Sequence, residues 1–195
     1  MSFMTQVRSA NGITLVPLET RLFSQRRLYI EGTICSEAAN NFIRELTLLL
    51  TESSDAPITV CINSPGGEVP AGMLIYDAVQ GCPAELTIIC HELCASMAAV
   101  ILAGGQKGRR LILPHSRVMI HEPFIFAEGM TGRADEIRRT AEKLEETRKL
   151  TSELISKATG RTSGDVDKAL SAERFMNAEE AVKFGICDRI VTSIV

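Results

Sequence analysis

Histidine is scarce in this chain: three occur in 195 residues, beside six cysteines. The cysteines (Cys35, Cys61, Cys82, Cys90, Cys94 and Cys187) form no Cys-x-x-Cys pair, so buried, reduced thiols are expected rather than a metal or disulfide role. Basic charge is not in excess. Lys and Arg number 21 against 24 Asp and Glu, a formal net charge of −3, which argues against nucleic acid as the main partner because phosphate binding needs a basic face. The longest nearly apolar run, residues 97–103, is far short of the ~20 residues that cross a bilayer, so no membrane partner is expected. The opening Met1-Ser2-Phe3-Met4-Thr5-Gln6 carries no basic stretch ahead of an apolar core. No secretory signal is expected from it, and a cytoplasmic location is. No internal repeat or Gly-x-x-x-x-Gly-Lys phosphate loop is present. What remains is ordinary globular composition, 45% hydrophobic and 23% charged, in a length that suits one domain.

The pattern reads as alternating strands and helices. Residues 1–20 suggest a short strand or arm with Asn11-Gly12 as a turn. Leu28-Tyr29-Ile30 reads as a strand, and Ser36 as the cap of a helix with Ala39, Phe42, Ile43, Leu46, Leu49 and Leu50 on its apolar side. A β-branched strand over 58–62 leads into the turn Ser64-Pro65-Gly66-Gly67 and a helix over 70–79. Strands follow at 86–90, 110–113 and 117–120, with a helix from Ala95 stopped by Gly104-Gly105. Such alternation predicts βαβ units, a mostly parallel sheet covered by helices. From Arg133 to Ala158 one stripe (Ile137, Leu144, Leu154, Ile155) is apolar and the rest is charged, with Asp135–Arg139 and Glu145–Lys149 spaced as i,i+4 pairs. This long helix is either a solvated surface element or a projection that packs on a partner subunit. Thr162-x-x-Asp165 and Asn177-x-x-Glu180 look like capping boxes, Gly185 like a C-cap, and 186–191 like a last strand.

Three features could carry chemistry. Ser96 follows a strand and starts a helix among small neighbours (Ala95, Ala98, Ala99). A nucleophile on a sharp strand-to-helix turn needs such neighbours, and helix-start amides favour a developing oxyanion. The spacing is not Gly-x-Ser-x-Gly, and a capping role is the plain alternative. His121 ends a strand, where a general base can reach a cleft; His91 is its rival, and His115 reads as a surface turn. Gly66-Gly67 lets a substrate approach main-chain amides. A histidine base also needs an acceptor for its other nitrogen. Asp165, Asp167, Glu173 and Asp188 are the candidates, and spacing does not choose among them.

Taken together, five ordered segments resemble the proteolytic subunit of the Clp proteases, the ClpP family. They are Ile62-Asn63-Ser64-Pro65-Gly66-Gly67; Ala71-Gly72-Met73 with Ile75-Tyr76-Asp77; Ala95-Ser96-Met97; Leu113-Pro114 with residues 116–123; and Arg174-Phe175-Met176 with residues 178–181. The intervals from Gly67 to Ser96 and from Ser96 to His121 match the family as well. The resemblance implies an α/β fold of the ClpP/crotonase type, with repeated βαβ units and a projecting handle helix at about 124–158. It implies an N-terminal arm or axial segment over 1–20 and a serine peptidase domain over 21–195. Ser96 falls on the family's nucleophile, His121 on its base, Glu173 on its acid, and Gly67 and Met97 on the amides of its oxyanion hole. Arg174 falls on an arginine of ring-to-ring contacts. No metal or other cofactor is implied. The implied partners are unfolded polypeptides, two stacked seven-membered rings of this chain or of this chain with another ClpP, and an AAA+ unfoldase of the Clp family.

The chain departs from the family at four places. Glu173 stands where the family has aspartate, one methylene shorter. His91-Glu92-Leu93-Cys94 replaces a glycine-containing stretch before Ala95-Ser96-Met97. The loop over 124–131 is about three residues longer. Thr59 and Cys61 stand where tyrosines receive the unfoldase. A weakly active or non-catalytic ClpP paralogue is therefore one alternative function. A crotonase-type acyl-thioester enzyme is another, opposed by the serine–histidine arrangement that class does not need.

Overall fold

The computed structural model describes residues 3–10, 12–124 and 132–193. The chain opens with an antiparallel hairpin, β1 (Met4–Ser9) against β2 (Gly12–Pro17), and a short helix α1 (Leu18–Phe23). The expected arm is thus a hairpin; Asn11 of its turn lies outside the described residues. There follow β3 (Arg27–Glu31), α2 (Ser36–Glu52), β4 (Ile58–Ser64), α3 (Val69–Gln80), β5 (Leu86–Ala95), α4 (Met97–Ala103) and β6 (Arg110–Ile112). Strands β3, β4, β5 and β6 lie side by side in chain order, all parallel. The fold is α/β with a parallel sheet and helices, as the alternation predicts.

Side chains alternate across the sheet. Leu28, Ile30, Val60, Ile62, Leu86 and Ile88 turn to one face and share a continuous core with Phe42 and Leu49 of α2, Ile75 and Val79 of α3, and Ile101 and Leu102 of α4. The other face begins with the half-buried row Arg27, Thr59 and Thr87, aligned by the ladder register. Ser36 does not cap α2. Cys35 holds the N-cap position, and the Ser36 hydroxyl donates to Glu68 Oε2 at 3.1 Å.

Strand β5 runs five residues beyond the expected end at Cys90. The register with β4 passes from Ile62↔Cys90 to Ser64↔Cys94, so two extra residues bulge out of β5 around His91–Leu93. The bulge explains the misreading: charged Glu92 breaks the apolar run, but pairing resumes beyond it. The second half of β5 pairs with β7 (Arg117–Ile120), also in parallel.

Helix α5 (Ala134–Thr159) is the long charged helix. Asp135–Arg139 and Glu145–Lys149 approach to 3.5 and 3.7 Å. Its last turns bury Thr151, Ser152 and Ile155 beside α4 and α6 (Ser163–Ser171), whereas Ile137 near its start stays exposed. The stripe is therefore buried at one end only. The loop expected to be longer, 124–131, lies outside the described residues except for Phe124. β8 (Arg174–Met176) returns antiparallel to β7, α7 (Ala178–Phe184) ends on left-handed Gly185, and β9 (Arg189–Ile190) pairs with β6. The capping box at Asn177–Glu180 is reciprocal. At Thr162 the hydroxyl both accepts from the Asp165 amide and donates to the Asp165 carboxylate. The last strand is only two residues long, because the amides of Ile186 and Cys187 close the end of α7 on the Ala181 carbonyl and the first to reach β6 is that of Asp188.

One buried ion pair ties the far edge together. Arg110, 1% exposed, grips Asp188 in bidentate fashion at 2.5 and 3.0 Å and also donates to the carbonyls of Ala103 and Ala158. Burial pushes the Asp188 carboxyl up. Hydrogen bonds from the Arg110 side chain and from the Arg110 and Gly108 amides outweigh this and hold it below its ordinary value. The depressed value means that the pair stabilises above the unfolded pKa of about 3.9, and that this contribution is lost as pH falls through the folded value. Asp188→Asn should therefore cost about 3–5 kcal/mol at pH 7, since it strands the Arg110 charge. The deficit against wild type should narrow below about pH 4 in urea-unfolding titrations.

Candidate active site

β5 ends at Ala95 and α4 begins at Met97, so the chain turns from strand to helix on Ser96 alone. Its backbone has φ +55° and ψ −123°, a conformation that L residues rarely adopt. The neighbours hold it there. The Ser96 amide donates to the Met119 carbonyl at 2.9 Å, and its own carbonyl accepts from Ala99 and Val100 at 3.0 and 3.2 Å. Ser96 occupies the N-cap position, yet its side chain makes no cap hydrogen bond. The plain alternative for this serine, a cap, is not what the hydroxyl does.

The Pro-Gly-Gly turn lies against this elbow. A Cβ on Gly66 would come within 2.6 Å of the Ala95 carbonyl oxygen, 2.7 Å of Ser96 Cβ and 3.0 Å of Met97 N. A Cβ on Gly67 would sit 2.1 Å from the Ile34 carbonyl oxygen. Ile34 donates to the Gly66 carbonyl and accepts from the Glu68 amide, both at 2.8 Å. In such a parallel bridge the intervening Gly67 turns its own N–H and C=O to the other side. Met97 is the first residue of α4, where amides lack an intrahelical acceptor. Ser64, fully buried, braces the turn: its hydroxyl donates to the Gly32 carbonyl at 2.6 Å and accepts from the Gly66 amide at 3.0 Å. Sequence reading missed this role, although Ser64 stands inside the turn motif itself.

His121 is the first residue after β7. The pairing of Ala95 with Met119 sends Ser96 and His121 out of the carboxyl ends of adjacent parallel strands. β8 runs back along β7 with Val118↔Met176, Met119↔Phe175 and Ile120↔Arg174. The ladder stops there, and His121 and Glu173 are the residues next beyond its last pair, Ile120↔Arg174. Glu173 is exposed, has φ +49°, and donates its amide to the Leu170 carbonyl at 3.1 Å. The His121 ring is half-buried and meets Phe124 edge-on, with centroids 5.3 Å apart. Gly67, Ser96, Met97, His121 and Glu173 all line one cleft of about 500 Å3, with Val100, Ile155 and Leu170 among its apolar lining.

The rival residues lie elsewhere. Asp165 is taken up by Thr162, Asp167 meets Arg148 at 3.4 Å, and Asp188 is held by Arg110. His91 sits inside β5, beside the charges of Arg27 and Glu31. Burial first, and then Arg27, push its imidazole below the ordinary value, and its Nε2 is buried without a hydrogen-bond partner. His91 and exposed His115 line a second depression, which Ser96 does not reach. Arg174 stacks its guanidinium 5.2 Å from the Phe184 ring centroid. All six cysteines are free, five of them buried. Among the described residues no group of three or more His, Cys, Asp or Glu could hold a metal ion, and no helix is long and apolar enough to cross a membrane.

The cleft thus gathers a hydroxyl on a strained elbow, an imidazole just past the neighbouring strand, a carboxylate, and the residues Gly67 and Met97 of the facing turn and helix start. A family model described as Clp protease matches residues 11–194. The contact of turn and elbow is directly testable. Gly66→Ala adds a Cβ where backbone already stands, at φ +91°. It should cost about 1–3 kcal/mol and lower Tm by roughly 3–10 °C in a chain of this size. Gly164→Ala, into open space at the start of α6, should leave Tm unchanged or raise it. Calorimetry on both variants checks the contrast.

Proposed function

The chain belongs to the Clp protease family, and from that premise we propose that it is a serine endopeptidase subunit cutting unfolded polypeptides through an acyl-enzyme. The observation that carries the reading is the Ser96 elbow: a strained residue at the N-cap position whose hydroxyl does not cap. Ser96 Oγ attacks the scissile carbonyl carbon while His121 takes its proton. Glu173 holds the other imidazole nitrogen and offsets the imidazolium charge. The oxyanion accepts from the Gly67 and Met97 amides, whose fixed orientation costs no reorganisation during the reaction. His121 then gives its proton to the leaving amine. A water, deprotonated by the same imidazole, attacks the ester and releases the new carboxyl end. No cofactor is required.

We infer a working unit of two stacked seven-membered rings, of this chain or of this chain with another ClpP, fed by a Clp-family AAA+ unfoldase in the cytoplasm. Ile137 and Leu150 on α5, and Ile13 and Leu15 on the hairpin, leave apolar surface exposed, as subunit or partner contacts require. Arg174 is the proposed ring-to-ring contact. A second reading, a weakly active paralogue that needs an active ClpP, is favoured by one detail. Glu173 has a positive φ, a conformation that aspartate and asparagine tolerate better.

Labelling of the purified chain with a serine-directed fluorophosphonate separates these readings. Labelling should occur and vanish in Ser96→Ala. Glu173→Ala should slow it by about 10²–10⁴-fold, and Glu173→Asp should keep or raise the rate. Labelling that appears only after a second ClpP is added identifies the paralogue. Its absence under both conditions overturns the peptidase reading.

A further inference from the structure

We propose that Glu122 and Ser171 form a positioning pair that locks the segment carrying Glu173 against His121. The inference rests on the reading that Glu173 orients His121. The antiparallel ladder between β7 and β8 has only three residue pairs and stops at Ile120↔Arg174. His121 and Glu173 lie one step beyond, where a ladder frays and where the positive φ of Glu173 already departs from strand geometry.

Two other ties replace the missing rungs. The amides of Glu122 and Glu173 donate to the same carbonyl, that of buried Leu170, at 3.2 and 3.1 Å. The residue after the imidazole and the carboxylate residue thus hang from one acceptor. The second tie is between side chains: the Ser171 hydroxyl donates to Glu122 Oε1 at 2.7 Å. Ser171 is the last residue of α6 and stands two before Glu173. Its bond to a carboxylate is of the stronger, charge-assisted kind. Glu122 and Ser171 are not among the residues that line the cleft, and the role proposed for the pair is to set the spacing of His121 and Glu173.

Fluorophosphonate labelling rates of the full chain, measured in a double-mutant cycle, test the idea. Ser171→Ala should slow labelling about tenfold, within the roughly 10²-fold that an ångström of misplacement costs. The same change in a Glu173→Ala background should slow it no further than about twofold, since the group it positions is gone. Glu122→Ala should match Ser171→Ala. Glu122→Gln, which keeps an oxygen to accept the Ser171 hydroxyl, should restore the rate to within about threefold of wild type. Equal slowing by Ser171→Ala in both backgrounds, or none in the wild-type background, overturns the positioning role. A wild-type rate in Glu173→Ala alone overturns instead the triad reading beneath it.

Discussion

The rest of the structure depends on the contact between two backbone turns at the carboxyl ends of β4 and β5. The Pro65-Gly66-Gly67 turn and the Ala95-Ser96-Met97 elbow approach so closely that no side chain fits between them. Such an approach is costly in entropy and leaves amides without water, so it must be stabilised from several directions. It is. The Ser64 hydroxyl holds the first turn from below, and the Ile34 bridge holds it from the side. The elbow is fixed to β7 through the Met119 carbonyl and to α4 through its own. The strain at Ser96 persists because these bonds leave its backbone no alternative.

From that contact the ladder registers distribute everything else. The parallel pairing of β5 with β7 and the antiparallel pairing of β7 with β8 bring Ser96, His121 and Glu173 to the lining of one cleft. Three residues far apart in sequence converge through two short ladders. The bulge in β5 makes this possible. β6 occupies the first half of that strand edge at Ile88–Cys90, and the continuation at Leu93–Ala95 leaves room for β7 on the same edge. A strand ending at Cys90 would have no place for the segment that carries the imidazole.

Much of this was legible in the sequence because it rests on short-range signals. Alternating apolar residues mark the strands, the glycine pair marks the turn, and small residues around Ser96 mark the elbow. The i,i+4 charges of α5 also pair as their spacing predicts. What was not legible depends on partners distant in the chain. Glu92 hides the continuation of β5, because a bulge is visible only against the strand it faces. Ser36 has the composition of a cap, but Glu68, 32 residues away, takes its hydroxyl. Spacing could not choose among four carboxylates. The fold engages three of them elsewhere: Thr162 holds Asp165, Arg148 meets Asp167 and Arg110 grips Asp188.

In the proposed triad the fourth carboxylate carries the physical tension. Glu173 has one methylene more than an aspartate, and its backbone sits in a region that favours short polar side chains. Were the backbone free, the extra length would be absorbed by a shift of the chain. It is not free: the Glu173 amide shares the Leu170 carbonyl with the amide next to His121, so moving one strains the other. The length must therefore be taken up in side-chain torsions. An exposed glutamate has more of these to fix than an aspartate, at an entropic cost that aspartate escapes. On this argument the site trades readiness for reach, and any contact that covers Glu173 and restricts its torsions, from another subunit or from substrate, would favour the geometry in which it meets His121.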